Sequence, residues 1–346
     1  MLYAHTLTCR EFWRLLPRLS ALRNPQRRIL LDSRVQPISL AGHFSKHWLL
    51  LLTDLLVDVG YSYSASSHSL TTAWIEMAPL PRQELTLTLP EESLTLTAPD
   101  ANGRRIWHKA LSQAIMASLG RHQSSESTLP PTTRHATYTF TKGCLRGAKY
   151  EGTWSQGKPH GKGRMEYSDG SVHEGWWRAG ERHGRGRATG PANTVQEGSW
   201  VRGRLEGRGK LVDESGEYEG GLEDGKPHGH GIRREGKFME SGASLYIGDW
   251  VRGMRQGYGV QEDIMGGEKY MGDWECGVRQ GKGCVVTSDG IYYQGTFLGG
   301  RLTGPGLMVS FNWKFIDAFN IPRYLRMELT IGGSLHPREN FVGREF

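Results

Sequence analysis

The sequence contains few cysteines and no long run of apolar residues. Its four cysteines, Cys9, Cys144, Cys276 and Cys284, show no CxxC spacing, and no Asn-x-Ser/Thr acceptor is present. This pattern argues against a disulfide framework or a zinc finger and predicts a reduced, cytosolic protein. The most apolar run, from Trp48 to Val59, is twelve residues long and includes two aspartates. It is too short to cross a bilayer and indicates a buried strand.

Motifs for catalysis and for phosphate binding are also missing. No glycine-rich segment ends in Gly-Lys-Ser/Thr, and no Gly-x-Ser-x-Gly elbow occurs. His160, His183 and His228 share one position of a repeated unit, but the other copies carry Glu, Gln or Thr there. A set of metal ligands would not be rebuilt in that way. We therefore expect no catalytic residue, no metal site and no cofactor in this chain.

Glycine, in contrast, is abundant, with 47 residues, and many of these belong to a repeat. A unit of about 23 residues opens at Tyr150, His173, Gln196, Tyr218, Tyr246, Tyr270 and Tyr293, and each copy places Gly two, seven, eleven and thirteen residues later. In the first copy Tyr150, Gly152 and Trp154 alternate along a half-buried strand. Glycines 157, 161 and 163 predict a turn, from which Lys162 to Tyr167 returns as a second strand. Each repeat is thus predicted to be one β-hairpin.

A single hairpin is marginal in water, so the aromatic residues are expected to stack between neighbouring repeats. The predicted stacking residues are Tyr150, Gly152, Trp154, Trp177, Trp200, Tyr218, Tyr246, Trp250, Tyr270, Trp274, Tyr293 and Phe297. Leu222 and Phe297 stand where Trp is expected, and about five residues are inserted within 235–245. The copies at Tyr150, His173 and Tyr218 follow the pattern YEGxWxxGxxHGxG, which resembles the MORN repeat. This resemblance implies an extended antiparallel hairpin ribbon over 138–309 but assigns no activity.

The N-terminal third has the pattern of a mainly β domain. Strands are predicted at 28–32, 35–40, 48–59, 68–77, 84–89 and 93–98, followed by a helix from Arg104 to Leu119 with one apolar face. Before them, Phe12, Leu15, Leu16, Leu19 and Leu22 indicate an amphipathic helix over 6–22. This helix, in a 1–26 segment, either docks on the next domain or lies on a membrane.

Strands closed by one helix with a Trp near its start resemble a pleckstrin homology (PH) domain, here a PH-like β-barrel over 27–120. The resemblance implies binding of phosphoinositides or of a protein. Arg34 and Lys46 are the only basic residues near the relevant loops, so they are the candidate lipid contacts and protein docking is favoured. The net charge of +7 arises before Tyr150, where 17 Lys and Arg face 10 Asp and Glu. The repeats are nearly neutral, which argues against nucleic-acid binding.

Two further segments lack these patterns. Residues 121–137 are rich in Ser, Thr and Pro and are predicted to be a linker, with Tyr138 to Thr141 a strand leading into the repeats. Beyond Ser310 the repeat pattern stops, and 310–346 forms a divergent tail. Its aromatic stretch from Phe311 to Phe319 either caps the last hairpin or does not fold.

The order of these parts resembles the alsin family, and within it especially the alsin C-terminal-like proteins. The resemblance rests on RRIWHKALSQAIMASLG at 104–120 and YTFTKGCLRGAKYEGTW at 138–154. It implies a guanine-nucleotide exchange factor for an early-endosomal Rab GTPase, with a Rho-exchange-like region before the PH-like domain, a Rab-exchange domain after the MORN repeats, and homo-oligomers. Residues 1–26 would be a remnant of the first region. By this comparison the chain is expected to be a short form without the Rab-exchange domain and inactive in exchange by itself.

The expected role is therefore that of the regulatory and assembly portion of such an exchange factor in endosome dynamics. The expected partners are the Rab GTPase and other alsin-family proteins, bound through the MORN repeats as homo- or hetero-oligomers, with weak contact to anionic lipid. The expected location is cytoplasmic, peripheral to endosomal membranes. The alternative is a phosphoinositide-binding MORN scaffold without a GTPase role, whose liposome binding would depend strongly on salt.

Overall fold

The structure is a computed structural model, and it describes residues 24, 26–41, 48–60, 65–120, 129–236 and 242–310 together with the backbone of Met327–Leu329. Most of these residues form strands, and the described part contains one α-helix. The helix predicted over 6–22, the side chain of Lys46 and the aromatic stretch 311–319 lie outside the described residues.

Eight strands and a helix form the N-terminal domain: β1 (Ile29–Asp32), β2 (Ser39–Leu40), β3 (Trp48–Leu52), β4 (Leu55–Val59), β5 (Ala65–Ser69), β6 (Trp74–Met77), β7 (Glu84–Thr88), β8 (Ser93–Thr97) and α1 (Ala101–Ser118). They make two antiparallel sheets, with the orders β1-β3-β4-β5 and β2-β8-β7-β6. The apolar run 48–59 is two strands, and 68–77 contains a short 3-10 turn, Leu70–Thr72, between β5 and β6. The segment predicted at 35–40 is a strand only at its last two residues.

Helix α1 closes the two sheets, as its apolar face predicts. The Asp100 carboxylate caps its first turn by accepting a hydrogen bond from the Gly103 amide at 2.6 Å. Trp107 is fully buried among the leucines of both sheets and donates its Nε1–H to the Gln36 carbonyl at 3.0 Å. The predicted strand core with one closing helix is therefore confirmed.

The repeats follow as hairpins, which also confirms the predicted fold. Their strand pairs are β10 (Lys149–Ser155) with β11 (Lys158–Glu166), β12 (Val172–Arg178) with β13 (Glu181–Thr189), β14 (Val195–Val201) with β15 (Arg204–Asp213), β16 (Gly216–Glu223) with β17 (Lys226–Glu235), β18 (Ser244–Val251) with β19 (Met254–Asp263), β20 (Lys269–Glu275) with β21 (Val278–Val286), and β22 (Ile291–Leu298) with β23 (Arg301–Ser310). An additional strand, β9 (Thr133–Thr139), pairs with β10. It begins inside the segment predicted as a linker, because Arg134 and Tyr138 are anchored by tertiary contacts described below.

The chain forms two compact units. The first contains the N-terminal domain with β9, β10 and β11, and the second contains the strands from β14 onward; the residues of β12 and β13 are divided between them. In the second unit each strand is antiparallel to the next one in the chain, and β24 (Met327–Leu329) pairs with β23.

The glycines of a repeat have three different tasks, which corrects the prediction that glycines 157, 161 and 163 form one turn. Gln156 and Gly157, with φ of 48° and 73°, make a two-residue turn, so the return strand begins at Lys158 and not at Lys162. Gly161, at φ 68°, lies in a β-bulge opposite Thr153. Gly163 is extended and pairs with Gly152. It serves close packing and not chain reversal.

Candidate interaction surfaces

One face of the repeat sheet carries a ladder of edge-to-face aromatic rings. Tyr246 contacts Trp250 of its own repeat and Trp274 of the next, with ring centroids 5.1 and 5.2 Å apart and planes 85° and 86° to each other. Tyr270 contacts Trp274 and Phe297 in the same way, at 5.3 and 5.0 Å. Each opening ring thus joins two successive hairpins, in the geometry that the ring quadrupoles favour.

The polar atoms of this ladder are satisfied by backbone carbonyl groups. The hydroxyl groups of Tyr218, Tyr246 and Tyr270 donate to the carbonyl three residues later, at 2.7, 3.1 and 2.8 Å. Burial raises the pKa of each of these tyrosines to about 12, so they remain donors at neutral pH. The Trp side chains donate to a strand glycine of the preceding repeat, as Trp200 does to Gly186 at 3.0 Å.

Paired glycines make the space for the rings. Gly248 and Gly259 face each other on neighbouring strands, and a Cβ atom at Gly259 would lie 2.4 Å from the Tyr246 hydroxyl oxygen. At Gly231 a Cβ atom would lie 2.3 Å from the hydroxyl oxygen of Tyr218. Both distances are below any real carbon contact, so the ring can occupy this position only above glycine.

The predicted stacking residues pack in two clusters, one in each unit: Tyr150, Trp154 and Trp177 in the first, and the residues from Trp200 to Phe297 in the second. All are buried except Tyr293, which is half-buried. Because they are enclosed by neighbouring repeats, their side chains form the core of the sheet and offer little surface to a partner.

Three repeats depart from the aromatic pattern. His173 replaces the opening Tyr, is completely buried and contacts Trp200 edge-to-face at 5.0 Å. Burial, together with the charge of Arg182, lowers the pKa of His173 to about 4. Gln196 at the next opening position is exposed. Leu222, in place of Trp, is buried. It has no indole N–H to donate to the preceding repeat.

The opposite face of the second unit carries a row of side chains that are charged on β13 to β16 and mostly apolar on β17 to β23. Directly paired residues across β13 to β16 are Arg187, Glu197, Lys210 and Glu219. The row continues across β17 to β23 with Ile232, Ile247, Val260, Met271, Cys284, Gln294 and Leu307. We call these seven residues, all apolar except Gln294, the apolar row; Ile247 and Gln294 are exposed and the other five are half-buried. Strand alternation places it on the side opposite the ladder.

Further apolar side chains are exposed near this row. Val251, Met254, Val278 and Leu298 flank the two-residue turns of repeats five to seven, and Tyr258 lies on β19 with 59% of its surface exposed. This group of exposed apolar side chains is the candidate association surface of the second unit. This row was not predicted from the sequence. It becomes visible when the repeats are aligned, because its residues stand one and fourteen positions after the opening residue of each repeat.

Comparisons with known proteins agree with this architecture. A sequence profile described as the alsin PH-like domain matches residues 14–121. The MORN repeat profile matches seven times, at 150–172, 173–195, 197–217, 218–234, 246–268, 270–292 and 293–314. The chain contains an alsin PH-like domain followed by seven MORN repeats.

Curated relatives match different shares of the chain. The chain is 38% identical to alsin of Homo sapiens over 311 residues, which is 83% of this chain but 19% of that protein. It is 37% identical to alsin of Rattus norvegicus over 312 residues, again 83% of this chain and 19% of that protein. The ALS2 C-terminal-like protein of Homo sapiens is 33% identical over 157 residues, 42% of this chain and 16% of that protein. The resemblance to the alsin family is therefore confirmed, and the match to alsin covers more of the chain. The chain spans about a fifth of the length of alsin.

In the alsin PH-like domain, the candidate lipid residue Arg34 is engaged within the domain. Its Nη2 lies 2.7 Å from Asp32 Oδ2, and its guanidinium lies 3.6 Å from the ring centroid of Trp48. Burial raises the pKa of Asp32, but hydrogen bonds from Arg34 and Trp48 outweigh it and leave that pKa below its usual value. An anion at this site would compete with Asp32 for Arg34.

Among the residues that the structure describes, no group of three or more His, Cys, Asp or Glu side chains could hold a metal ion. Cys144 and Cys276 are free and exposed, and Cys284 is free and half-buried. Within the same described part, no helix is long and apolar enough to span a membrane.

Proposed function

We propose that this PH-like and MORN region is the regulatory and assembly part of a guanine-nucleotide exchange factor for an early-endosomal Rab GTPase. The proposal is supported by the match to alsin over 83% of this chain and by the chain's own matches to the alsin PH-like domain and the MORN repeat. The Rab GTPase and the location at endosomal membranes are taken from the resemblance to the alsin family. Because the chain matches only 19% of the length of alsin, we propose both for this chain on the family resemblance alone.

Assembly with alsin-family proteins, as homo- or hetero-oligomers, would use the apolar row. The side chains of the ladder are buried by packing within the sheet, whereas Ile247, Gln294 and the turn residues beside the apolar row are exposed and the rest of the row is half-buried. The flanking charges of this area are of both signs, so it is suited to an uncharged apolar partner surface rather than to nucleic acid or to an anionic membrane.

The regulatory role is tested by nucleotide release from an early-endosomal Rab GTPase. Release is measured with full-length alsin, with alsin plus increasing amounts of this chain, and with this chain alone. We expect the chain alone to leave release at its intrinsic rate, and to change the rate given by full-length alsin. An unaltered alsin rate at saturating chain would contradict the regulatory role, and release by the chain alone would contradict the assignment of exchange to other segments.

The assembly role is tested with residues that the fold already accepts. Ile247→Glu and Val260→Arg introduce the residue types that occupy the same positions in earlier repeats, namely Glu197 and Arg187. We expect the double variant to fold and to lose association with full-length alsin in sedimentation experiments. The matched control is Glu197→Gln with Arg187→Gln in the charged part of the row, which is expected to retain association. Equal loss in both variants would place assembly elsewhere.

The alternative, an anionic-lipid scaffold, is favoured by one observation. Arg185 and Arg208 project from the same outer face, opposite Ser199 and Gly221, and neither forms an ion pair in the described part of the chain. Arg185→Gln with Arg208→Gln is expected to leave assembly intact. The scaffold function replaces the regulatory one if two results are found together: this variant loses the salt-sensitive binding to phosphatidylserine vesicles, and the unaltered chain does not change nucleotide release by full-length alsin.

A further inference from the structure

The first strand of the repeat sheet, β9, precedes the first matched repeat and is held by the PH-like domain. Arg134 on β9 is 6% exposed, and its Nη1 donates to the Thr71 carbonyl at 3.3 Å. Its Nε donates to the Pro131 carbonyl at 3.3 Å. Its guanidinium lies 4.4 Å from the ring centroid of Trp74, on β6. Carbonyl oxygens and an aromatic face thus compensate the burial of this cation.

Trp74 extends the aromatic packing of the repeats into the PH-like domain. Its Nε1 donates to the Thr132 carbonyl at 2.8 Å. The indole is 5% exposed and packs in one cluster with Phe140, Tyr150 and Trp154 of the first repeat region. The PH-like domain therefore supplies a ring where the ladder has no preceding repeat.

Glu91, in the turn between β7 and β8, forms the polar part of the same contact. Its carboxylate accepts four hydrogen bonds, from the Tyr138 hydroxyl at 2.7 Å, the Thr141 hydroxyl at 2.7 Å, the Thr141 amide at 2.8 Å and the Lys142 amide at 2.6 Å. Tyr138 lies on β9, and Thr141 and Lys142 lie just beyond its end. Hydrogen bonds to a charged acceptor are the strong ones, and four converge here.

The first hairpin turn also contacts the PH-like domain, whereas the corresponding turns of two later repeats contact nothing at the same position. A Cβ atom at Gly157 would lie 2.7 Å from the Leu89 carbonyl oxygen and 2.8 Å from Thr88 Cγ2. The turn glycines Gly203 and Gly225 of later repeats have the same left-handed conformation and nothing within 4 Å of that position. The first turn thus shares the backbone conformation of these two turns but, unlike them, contacts the PH-like domain.

We propose that the PH-like domain is the N-terminal cap of the MORN sheet, and that the cap and the first repeat fold and open as one unit. A stack of hairpins needs a terminal element to cover its exposed end, and the PH-like domain fills that place with Trp74, Glu91 and the turn at Leu89. The PH-like domain and the first hairpin consequently keep one orientation, and the face of β6 to β8 used in this contact is closed to outside partners. This inference does not depend on the GTPase role.

The test compares hydrogen exchange in the full chain for two matched substitutions. Gly157→Ala and Gly203→Ala carry the same backbone strain, since φ is 73° and 82°, but only Gly157→Ala displaces the Leu89 carbonyl. We expect Gly157→Ala to raise exchange about tenfold or more in β9 and β10 and also in β7 and β8. Gly203→Ala is expected to raise exchange only in its own and adjoining hairpins.

A second pair of variants keeps the shape of the side chains. Glu91→Gln removes the charge that gathers four donors, and we expect exchange to rise about tenfold or more in both β7–β8 and β9–β10. Glu92→Gln, on the same turn, removes the partly exposed ion pair with Lys142 and keeps a side-chain oxygen near His68, and is expected to change little. The proposal is overturned if Gly157→Ala and Gly203→Ala leave β7 and β8 equally protected, or if Glu91→Gln affects only the amides of Thr141 and Lys142.

Discussion

Replacing Gly231 with Ala tests whether the strand glycines exist to hold the aromatic rings. Gly231 does not have a left-handed backbone, so alanine is allowed by its conformation. The added Cβ atom would lie 2.3 Å from the Tyr218 hydroxyl oxygen and 2.5 Å from ring carbons Cε2 and Cζ. The ring must therefore move, although it is fully buried beneath Trp250.

The cost has two parts. Forcing one extra carbon into a packed core costs about 1–3 kcal/mol. The displaced ring also loses its 2.7 Å hydrogen bond to the Gly221 carbonyl, which contributes about 1 kcal/mol. We expect Gly231→Ala to lower the local free energy of opening by about 2–4 kcal/mol.

The assay is hydrogen exchange of peptides covering β16 and β17, because repeat sheets open locally and a single unfolding free energy does not describe them. A double-mutant cycle with Tyr218→Ala isolates the steric term. In the Tyr218→Ala background, Gly231→Ala is expected to cost less than about 1 kcal/mol, because no ring remains to clash. An undiminished cost in that background would refute the ring-space explanation and point to backbone packing alone.

Two further predictions follow from the ladder. His173 is neutral when buried, with a pKa lowered to about 4, so protons favour the unfolded form as pH falls below about 6.5. The stability of the second repeat, measured by exchange, should therefore decline between pH 6.5 and 4 by at most about 3 kcal/mol, and His173→Tyr should abolish this dependence; an unchanged pH profile in that variant would contradict the assignment. Leu222→Trp restores the indole of the other repeats within reach of the Gly209 carbonyl, and should stabilise its hairpin by about 1 kcal/mol in hydrogen exchange of peptides covering β16 and β17; a destabilised hairpin would contradict this account of the missing hydrogen bond.

Local patterns predicted much of the fold because they act over short distances. The alternating Tyr150, Gly152 and Trp154 indicate a strand with one buried face, and the seven openings follow from glycine spacing alone. The helix that carries Trp107 follows from its apolar face. The stacking residues could be selected for the same reason, since an aromatic position that recurs in a repeat has to be buried by the neighbouring copies.

Other features depend on which strands become neighbours. The linker prediction missed β9, because the residues around Thr133 have no apolar period and are ordered by contacts from Arg134 and Tyr138 to residues about 50 to 60 positions earlier. The three tasks of Gly157, Gly161 and Gly163 are equally invisible in a spacing rule, since glycine spacing does not tell a turn from a bulge or from space for a ring.

The sequence by itself determined the order of a helix-closed β domain and seven hairpins, because strand alternation and two-residue turns are properties of neighbouring residues. Only the tertiary structure decided that Ile232, Ile247, Val260 and Met271 form one continuous row of exposed and half-buried side chains, and that Glu91 accepts hydrogen bonds from residues beyond β9. Both depend on strand register, which joins residues that are distant in the chain. The surfaces that this protein offers to partners are therefore set by register, and its core by the repeat.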